Sequence, residues 1–399
     1  AWYLGRAYWL SGDVRAASRA LAEASSISWE VNHLYAVFLV THDFAHVQKL
    51  QGQLHVANQT YLRAIQQAQE RGADLPAAGP AYVGRGNIEY EWNHLDAATA
   101  LLQEGIKRCE RAGNGRVILQ AHMTLAFIKQ AQGDSDGANA IMQRVVERAS
   151  RQHISEHRHS QVEASSAWLS LMQGDETAVL HWLQHCDLDQ KITHLREREY
   201  LTLVRVLIMQ HRLDEAKQWL ANLLQLAELQ GRTGSMIELF MLQAKALYAS
   251  GEMNQAIELL SQALSLAEPE GYVRLFVDEG TPIAHLLRQI SRRTSSGHSD
   301  STYYREHLLT LFATTHEEDV PFLAPSVATP GTNPLYEPLS DRELDVLHLI
   351  IAGYSNREIA ERLVIAVSTV KWYVNIIYSK LQVESRTKAI VRARELNIM

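Results

Sequence analysis

Apolar side chains recur with helical spacing through the first 270 residues of the chain. One stretch repeats them at i, i+3, i+4, i+7, i+8 and i+11, which places them on one side of an α-helix. Its members are Ala256, Leu259, Leu260, Ala263, Leu264 and Ala267. The same spacing recurs from Ala216 through Trp219 to Leu224. We predict amphipathic helices here, and an all-α protein.

A short turn signature separates these helices. It opens on a residue that tolerates the left-handed backbone, continues through polar residues and ends on alanine, which allows two helices to approach closely. Successive copies start 40, 41, 40, 41, 37 and 40 residues apart, and the fifth copy, Gly174 to Ala178, is one residue shorter. The copies start at Gly12, Gly52, Asn93, Gly133, Gly174, His211 and Gly251.

A fixed period near forty residues is typical of stacked helical hairpins, which bury their apolar faces against their neighbours. Residues 1–270 resemble tetratricopeptide-like repeats, and we predict a helical-repeat solenoid there. Its concave surface is expected to bind a small-molecule effector or a regulatory protein. The aromatic residues of this region are predicted to be core packing, namely Trp92, Trp168, Trp182 and Tyr200.

The composition changes after residue 290. Residues 291–338 are rich in serine and arginine at first and then contain five of the nine prolines of the chain. Proline blocks helix propagation and stiffens an extended segment. We predict a hinge with one short helix over residues 303–313.

Residues 339–399 show a sharper helical pattern. Capping boxes at Ser340 to Glu343 and at Ser355 to Glu358 predict the starts of two helices, and Gly353 predicts the end of the first. A third helix follows a turn, and a fourth helix follows Ser385. The buried face of the third helix is predicted to consist of Val370, Val374, Ile377 and Leu381.

Charge separates this segment from the rest of the chain. The whole chain has 38 basic and 45 acidic residues, a formal net charge of −7. Between residues 366 and 394, Glu384 is the one acid, against Lys371, Lys380, Arg386, Lys388, Arg392 and Arg394. Two short helices joined by a tight turn, with a cationic outer face, are the helix-turn-helix arrangement. Attraction to phosphates needs such a local patch.

The motifs of this segment resemble the LuxR-type helix-turn-helix without a gap from residue 339 to about 394. They are Leu339 to Glu343, Ser355 to Leu363, Ser368 to Lys371, Lys380-Leu381 and Ser385 to Ala389. The resemblance implies a four-helix domain that binds double-stranded DNA, with residues 367–381 as the recognition helix. It implies base contacts from Lys371, Trp372 and Asn375, on the outer face that also carries Ser368. It implies phosphate contacts from Ser355, Asn356, Arg357, Thr369 and Arg386.

Two positions depart from the family pattern. Ala366 stands where the family usually has a serine N-cap, whose loss costs about 1 kcal/mol. Gln382 stands where the family usually has glycine, just past the recognition helix. Trp372 has two interpretations: a contact with a thymine methyl or sugar, or packing in a dimer interface.

Residues 271–290 form a closing segment of the repeats. Its residues 271–280, Gly-Tyr-Val-Arg-Leu-Phe-Val-Asp-Glu-Gly, resemble the stretch that closes the repeat domain of MalT-like regulators. Arg274, Asp278 and Glu279 are expected to form an ion-pair cluster. MalT-like regulators are large and bind ATP in an N-terminal domain. The chain contains no Gly-x4-Gly-Lys-Ser/Thr loop and begins in a helical pattern, so we predict a fragment that lacks this domain, with no cofactor of its own.

Other kinds of site have weaker sequence signals. The chain has two cysteines, too few for a disulfide framework, which favours the cytoplasm. It has no apolar stretch long enough to predict a membrane span. His153, His157 and His159 are expected to be solvated rather than metal ligands. The sequence shows no nucleophile–base or paired-carboxylate pattern, so we predict no enzyme activity. The sequence therefore predicts a DNA-binding transcription regulator that acts as a homodimer. The alternative is a protein-interaction scaffold whose helix-turn-helix does not bind DNA.

Overall fold

The protein divides into two compact units, residues 1–319 and residues 320–399. The computed structural model describes residues 1–31, 33–70, 75–151, 155–186, 188, 192–293, 300–315, 341–363, 370, 373–374, 377, 381, 383 and 386–395. Within these ranges every regular element is an α-helix or a short 3-10 helix, which confirms the all-α prediction. No helix in the same ranges has both the length and the hydropathy that crossing a membrane requires.

The first fourteen helices pair into seven hairpins, one at each predicted copy of the turn signature. The first helices of the hairpins are α1 Trp2–Ser11, α3 Leu34–Leu50, α5 Gly79–Glu91, α7 Gly115–Ala131, α9 Glu156–Met172, α11 Glu197–Met209 and α13 Thr233–Ala249. The second helices are α2 Val14–Glu30, α4 Leu54–Glu70, α6 Leu95–Arg111, α8 Ser135–Arg151, α10 Glu176–His185, α12 Leu213–Gln230 and α14 Met253–Ala267.

The turn within each hairpin has the predicted left-handed residue. All seven signature positions have positive φ, including the two non-glycine residues, Asn93 at 61° and His211 at 56°. Aspartate follows glycine in three of these turns and caps the next helix. The carboxylate of Asp13 accepts a hydrogen bond from the Ala16 amide at 2.8 Å, and Asp175 does the same for Ala178 at 3.1 Å. The turn signature is therefore a local stop-and-start signal.

The small residue five positions after each turn is buried against the partner helix. Six of these positions hold alanine with no exposed surface: Ala17, Ala57, Ala98, Ala138, Ala216 and Ala256. In the fifth hairpin the equivalent position is Val179, also fully buried, whereas Ala178 is half-buried. The prediction of a shortened fifth copy ending on Ala178 is therefore wrong, because valine takes the buried alanine position.

The odd-numbered helices line the inside of the stack. Each contacts the next, from α3 through α5, α7, α9 and α11 to α13, and α13 contacts α3 again. These six inner helices form a closed ring around a central lumen. The repeats therefore complete one turn and meet themselves.

Close backbone approach forms the seam of the ring. A Cβ added to Gly234, at the start of α13, would lie 2.7 Å from the carbonyl oxygen of Lys49, near the end of α3. On the second helices, the carboxylate of Glu270 accepts a hydrogen bond from the His55 amide at 2.9 Å. The last repeat thus binds the second repeat through backbone atoms as well as apolar side chains.

Three further helices complete the first unit: α15 Arg274–Val277, α16 Thr281–Arg293 and α17 Asp300–Thr315. The α17 helix is longer than the short helix predicted over residues 303–313. It buries Leu308 and Phe312 and contacts α15 and α16, and the Tyr304 hydroxyl donates to the Tyr272 carbonyl. The first part of the predicted hinge therefore belongs to the repeat unit, while its prolines lie outside the described residues.

Gly84 on α5 offers a test of the packing between neighbouring hairpins. A Cβ there would lie 2.2 Å from Cζ of Tyr61, a ring with 2 % exposure. We expect Gly84→Ala to lower the free energy of unfolding by about 1–3 kcal/mol, because overpacking outweighs the gain in helix propensity. Urea denaturation followed by circular dichroism measures this change. Gly137→Ala is the control, since the nearest atoms to its Cβ belong to the exposed Asp134 side chain, which can shift, rather than to a buried ring. Equal stability of the two variants would contradict the packing argument.

Candidate nucleic-acid interface and inner surface of the repeat unit

The second unit contains three described helices, α18 Asp341–Ile351, α19 Asn356–Leu363 and α20 Arg386–Glu395. The α18 helix contacts both of the others. The spacing of Leu344, Leu347, Ile350 and Ile351 predicts an apolar stripe on this helix. Leu347 and Ile350 are fully buried, whereas Leu344 and Ile351 are half-buried. Val346, outside that stripe, is also fully buried.

The second predicted capping box is present at the start of α19. The Ser355 amide donates to the Glu358 carboxylate at 2.7 Å, and the Glu358 amide donates to Oγ of Ser355 at 3.4 Å. The Ser355 hydroxyl also donates to the Glu358 carboxylate at 2.7 Å, and this bond, together with that from the Ser355 amide, lowers the pKa of Glu358. Gly353, with φ of 90°, ends α18 as predicted. The first box begins at Ser340, which lies outside the described residues.

The predicted apolar face of the third helix is confirmed at each of its four positions. Val370, Val374, Ile377 and Leu381 have at most 8 % of their surface exposed. Tyr373 is buried as well, at 3 % exposure, and was missed. The available signal was its spacing of three from Val370 and four from Ile377, which places it beside the same face.

The structure describes only part of the predicted DNA-contact set. At the start of α19, Ser355 and Arg357 are exposed and Asn356 is half-buried. Seven positions discussed above lie outside the described residues: the predicted contacts Ser368, Thr369, Lys371, Trp372 and Asn375, and the two departures Ala366 and Gln382.

Arg386, one of the predicted phosphate contacts, packs against the end of α18. It is half-buried, and its Nη2 donates to the carbonyl oxygen of Ile350 at 3.2 Å and to that of Tyr354. The last carbonyl groups of a helix have no partner within the helix. Arg386 therefore ties the start of α20 to the end of α18, and a phosphate contact from it stays a prediction.

A buried charge cluster lies on the inner surface of the repeat unit. The Arg205 guanidinium on α11 donates to Glu279 and to Glu238, each at 2.6 Å, and Lys245 on α13 donates to Glu279 at 2.6 Å. Arg205 also stacks on the Trp168 ring, 4.2 Å from its centre. Desolvation raises the pKa of Glu279, but Arg205 and Lys245 outweigh this effect and hold it below its usual value.

A second cluster joins the closing segment to the third hairpin. Arg274 pairs with Asp278, and the Tyr90 hydroxyl donates to Asp278 at 2.5 Å. Arg274 also donates to the side-chain oxygen of Asn93 at 3.3 Å. The expected ion pairing of Arg274, Asp278 and Glu279 is thus confirmed, but in two clusters with different partners. The sequence analysis missed Arg205, Glu238 and Lys245.

The two clusters border one cavity of about 820 Å³. The rest of its lining is mixed, with apolar Leu171 and Met172 at the end of α9 and polar Gln130, Gln132 and His211. Trp168 and Tyr200 are buried as predicted, yet Trp168 also faces this cavity. Only 5 % of the surface of Arg205 is exposed, and its Nη1 has no hydrogen-bond partner in the described structure. The cavity therefore contains an unused, buried donor.

The described histidines of the histidine stretch, His157 and His159, each lie near one carboxylate. Within the described residues there is no group of three or more potential metal-ligating His, Cys, Asp or Glu side chains. His159 lies 3.3 Å from the carboxylate of Glu163, and His157 lies 3.9 Å from that of Glu199. His153 is outside the described residues.

The family described as "MalT-like TPR region" matches residues 1–293. The chain belongs to this MalT-like family. A second family, described as "Bacterial regulatory proteins, luxR family", matches residues 337–393. The MalT-like repeats and the LuxR-type segment thus account for both units of the chain.

Curated relatives carry the name "HTH-type transcriptional regulator MalT". The relative from Serratia proteamaculans (strain 568) is 28 % identical over 362 residues, 87 % of this chain and 39 % of its own length. The relative from Yersinia pestis (strain Pestoides F) is 27 % identical over the same shares. The MalT-like chain thus spans about two fifths of the length of these relatives.

One solved structure shares the fold of the MalT-like repeats. It is described as "Crystal structure of NprR in complex with its cognate peptide NprX". Its TM-score is 0.54 at 14 % identity, and the match covers 77 % of this chain and 85 % of that chain. At this identity the likeness concerns the fold alone.

Glu91, at the end of α5, gives a pH-dependent test of how the closing segment binds the MalT-like repeats. Its carboxylate accepts a hydrogen bond from the Leu275 amide at 2.9 Å, and desolvation raises its pKa to about 8. Between its ordinary pKa and about 8 the folded protein binds more protons than the unfolded chain, so this group destabilises the fold as pH rises. We expect Glu91→Gln to stabilise the protein by at least about 1 kcal/mol at pH 9 and to change little at pH 4.5.

Urea unfolding at the two pH values measures this difference. Glutamine keeps the oxygen that accepts from Leu275, so the hydrogen bond is preserved. Glu23→Gln, at an exposed position on α2, is the matched control and should show no such pH dependence. The same effect of Glu91→Gln at both pH values would show that the Glu91 carboxyl has the same pKa in the folded and unfolded protein, and would contradict the raised pKa.

Proposed function

We propose that this chain is part of a transcription regulator that binds duplex DNA through residues 339–399. The observation that carries the proposal is the luxR-family match over residues 337–393, in a unit whose third helix buries the predicted apolar face. The capping box of Ser355 and Glu358 gives α19, which precedes that third helix, a defined start. A scaffold without DNA binding is the alternative outcome of the test below.

The helical period separates the buried positions of the third helix from the positions available to DNA. Positions 370, 374, 377 and 381 are buried, so the sequence pattern assigns Lys371, Trp372 and Asn375 to the remaining faces of that helix. Lysine and asparagine can hydrogen-bond to guanine and adenine edges in the major groove. Exposed Arg357 at the start of α19 is suited to a phosphate, which fixes orientation but reads no sequence.

We further propose that the regulator binds DNA as a homodimer. One recognition helix reads few base pairs, and two-fold operators supply the second half-site. The α20 helix supports a dimer surface because its apolar Val391 is 51 % exposed. ATP binding in a preceding domain follows from the family resemblance alone and stays a prediction.

Selection from random duplex DNA with the full chain tests the proposal. We expect an enriched two-fold motif whose affinity falls steeply as salt rises, because bound phosphates release counterions. Lys371→Ala should relax the preference at one position of each half-site and cost about 1–3 kcal/mol. Arg357→Ala should weaken binding to all sequences alike and reduce the salt slope by about one.

Lys107→Ala is the control, since this lysine is exposed on α6 of the repeat unit. Absence of an enriched motif, with no difference between Lys371→Ala and Lys107→Ala, would favour the scaffold.

The 820 Å³ cavity supports effector sensing by the repeat unit. Its unpartnered Arg205 Nη1 suits a hydrogen-bond acceptor on a ligand, because an unsatisfied buried donor costs about 1–3 kcal/mol. The cavity walls come from α7, α9, α11 and α13 and from the closing segment. A ligand there would contact the elements that hold the ring closed, which gives it a way to change the repeat unit.

A screen of small polar fragments by saturation-transfer NMR tests this site. Fragments that bind the wild-type chain should lose at least about tenfold in affinity in Leu171→Trp, which fills the cavity without altering its charges. Leu229→Trp is the control because Leu229 is 76 % exposed. Fragments that bind both variants as they bind the wild type would place the ligand elsewhere.

A further inference from the structure

One side of α3, an inner helix of the ring, carries three basic side chains. His42, His46 and Lys49 are spaced i, i+4 and i+7, so they share one side of the helix. All three are half-buried. Burial lowers the pKa of both histidines to about 3, with Arg116 and Lys49 adding to the effect. The histidines are therefore neutral near pH 7, while the lysine lies among further cations.

Three neighbouring inner helices each add an arginine in the first turn. These residues are Arg116 on α7, Arg158 on α9 and Arg198 on α11. The partial positive charge at a helix N-terminus disfavours a cation there. These three arginines therefore do not stabilise their own helices. Their helices are neighbours, because α7 contacts α9 and α9 contacts α11.

The cations of this group lack acidic partners in the described part of the chain. No hydrogen bond or ion pair involves the side chain of Lys49, Arg116, Arg158 or Arg198. The nearby acids are engaged elsewhere. Asp43 accepts from Trp2 at 2.8 Å and pairs with Arg6, and Glu197 pairs with Arg232. Glu199 binds Arg196 at 2.6 Å.

The positive charges repel one another in a partly desolvated space. Desolvation lowers the pKa of Arg116, and Arg158 and Arg6 lower it further. Desolvation likewise lowers the pKa of Lys49, and Arg198 adds to this although Glu91 opposes it. Lys49, Arg116 and Arg158 are half-buried and Arg198 is exposed, so water reaches all four cations. Uncompensated like charge in such a space attracts a counter-ion.

We propose that the cation group of Lys49, Arg116, Arg158 and Arg198, on four inner helices of the ring, binds a small oxyanion with two or more negative charges. Two chemical sources carry such charge, a condensed phosphate and a polycarboxylate. Cations from four helices of the closed ring can surround a compact anion and make several charge-assisted hydrogen bonds. This site uses none of the residues of the cavity bordered by Arg205, and it does not depend on DNA binding.

Isothermal titration calorimetry of the full chain, without DNA, tests the site with tripolyphosphate and with citrate at constant ionic strength. We expect at least one probe to bind the wild type, and Arg116→Gln and Lys49→Gln each to weaken it about tenfold or more. The outer variants Arg19→Gln and Lys107→Gln remove the same charge from exposed positions on α2 and α6 and should bind as the wild type does. The preferred probe distinguishes phosphate from carboxylate.

Thermal melting without any probe supplies a second readout. Removing one repelling cation should raise the melting temperature of Arg116→Gln and Lys49→Gln above that of the outer variants. Anion binding that is equal in the inner and outer variants would place the anion on the basic residues of the second unit and overturn the proposal. Failure of both probes to bind the wild type would overturn it as well.

Discussion

The repeat unit depends on the closure of its helix ring. A helical hairpin cannot bury both of its apolar faces alone, so a stack of hairpins leaves one face bare at each end. Here α13 contacts α3, and one apolar core runs from Leu54 and Tyr61 to Tyr272 and Phe276. The approach needs the absence of a side chain at Gly234, whose Cβ would meet the Lys49 carbonyl. The hydrogen bond from His55 to Glu270 then fixes the register of the two ends.

The charged groups of the closing segment follow from this closure. The closing segment packs against the inner helices at Tyr90, Arg205 and Lys245, so its own buried charges need fixed partners. Glu279 has Arg205 and Lys245, and Asp278 has Arg274 and Tyr90. Buried ion pairs add little net stability, but a misplaced segment would leave each of these charges unpaired at high cost. The clusters therefore favour one seating of the segment.

Local features were predictable from sequence, and distant ones were not. The left-handed turns and the Ser355 capping box depend on residues within five positions of one another, so the pattern was sufficient. The ring could not be predicted, because residues 215 positions apart in sequence form its seam. Arg205 left a signal that was not used, an arginine inside the apolar run Leu201 to Met209. Arg386 left none, because two carbonyl groups at the end of a distant helix determine its position.

A ring of repeats differs energetically from an open array. In an open array each unit has neighbours on two sides except at the termini, so the terminal units fray first and unfolding spreads inward. In this protein the second and seventh hairpins, which would otherwise be near the ends, each have an additional neighbour across the seam. Loosening any one of the six hairpins of the ring therefore opens it and exposes two new faces rather than one. The first unit should therefore unfold as a single cooperative unit, in which destabilising a hairpin on one side of the ring also destabilises the hairpins on the opposite side.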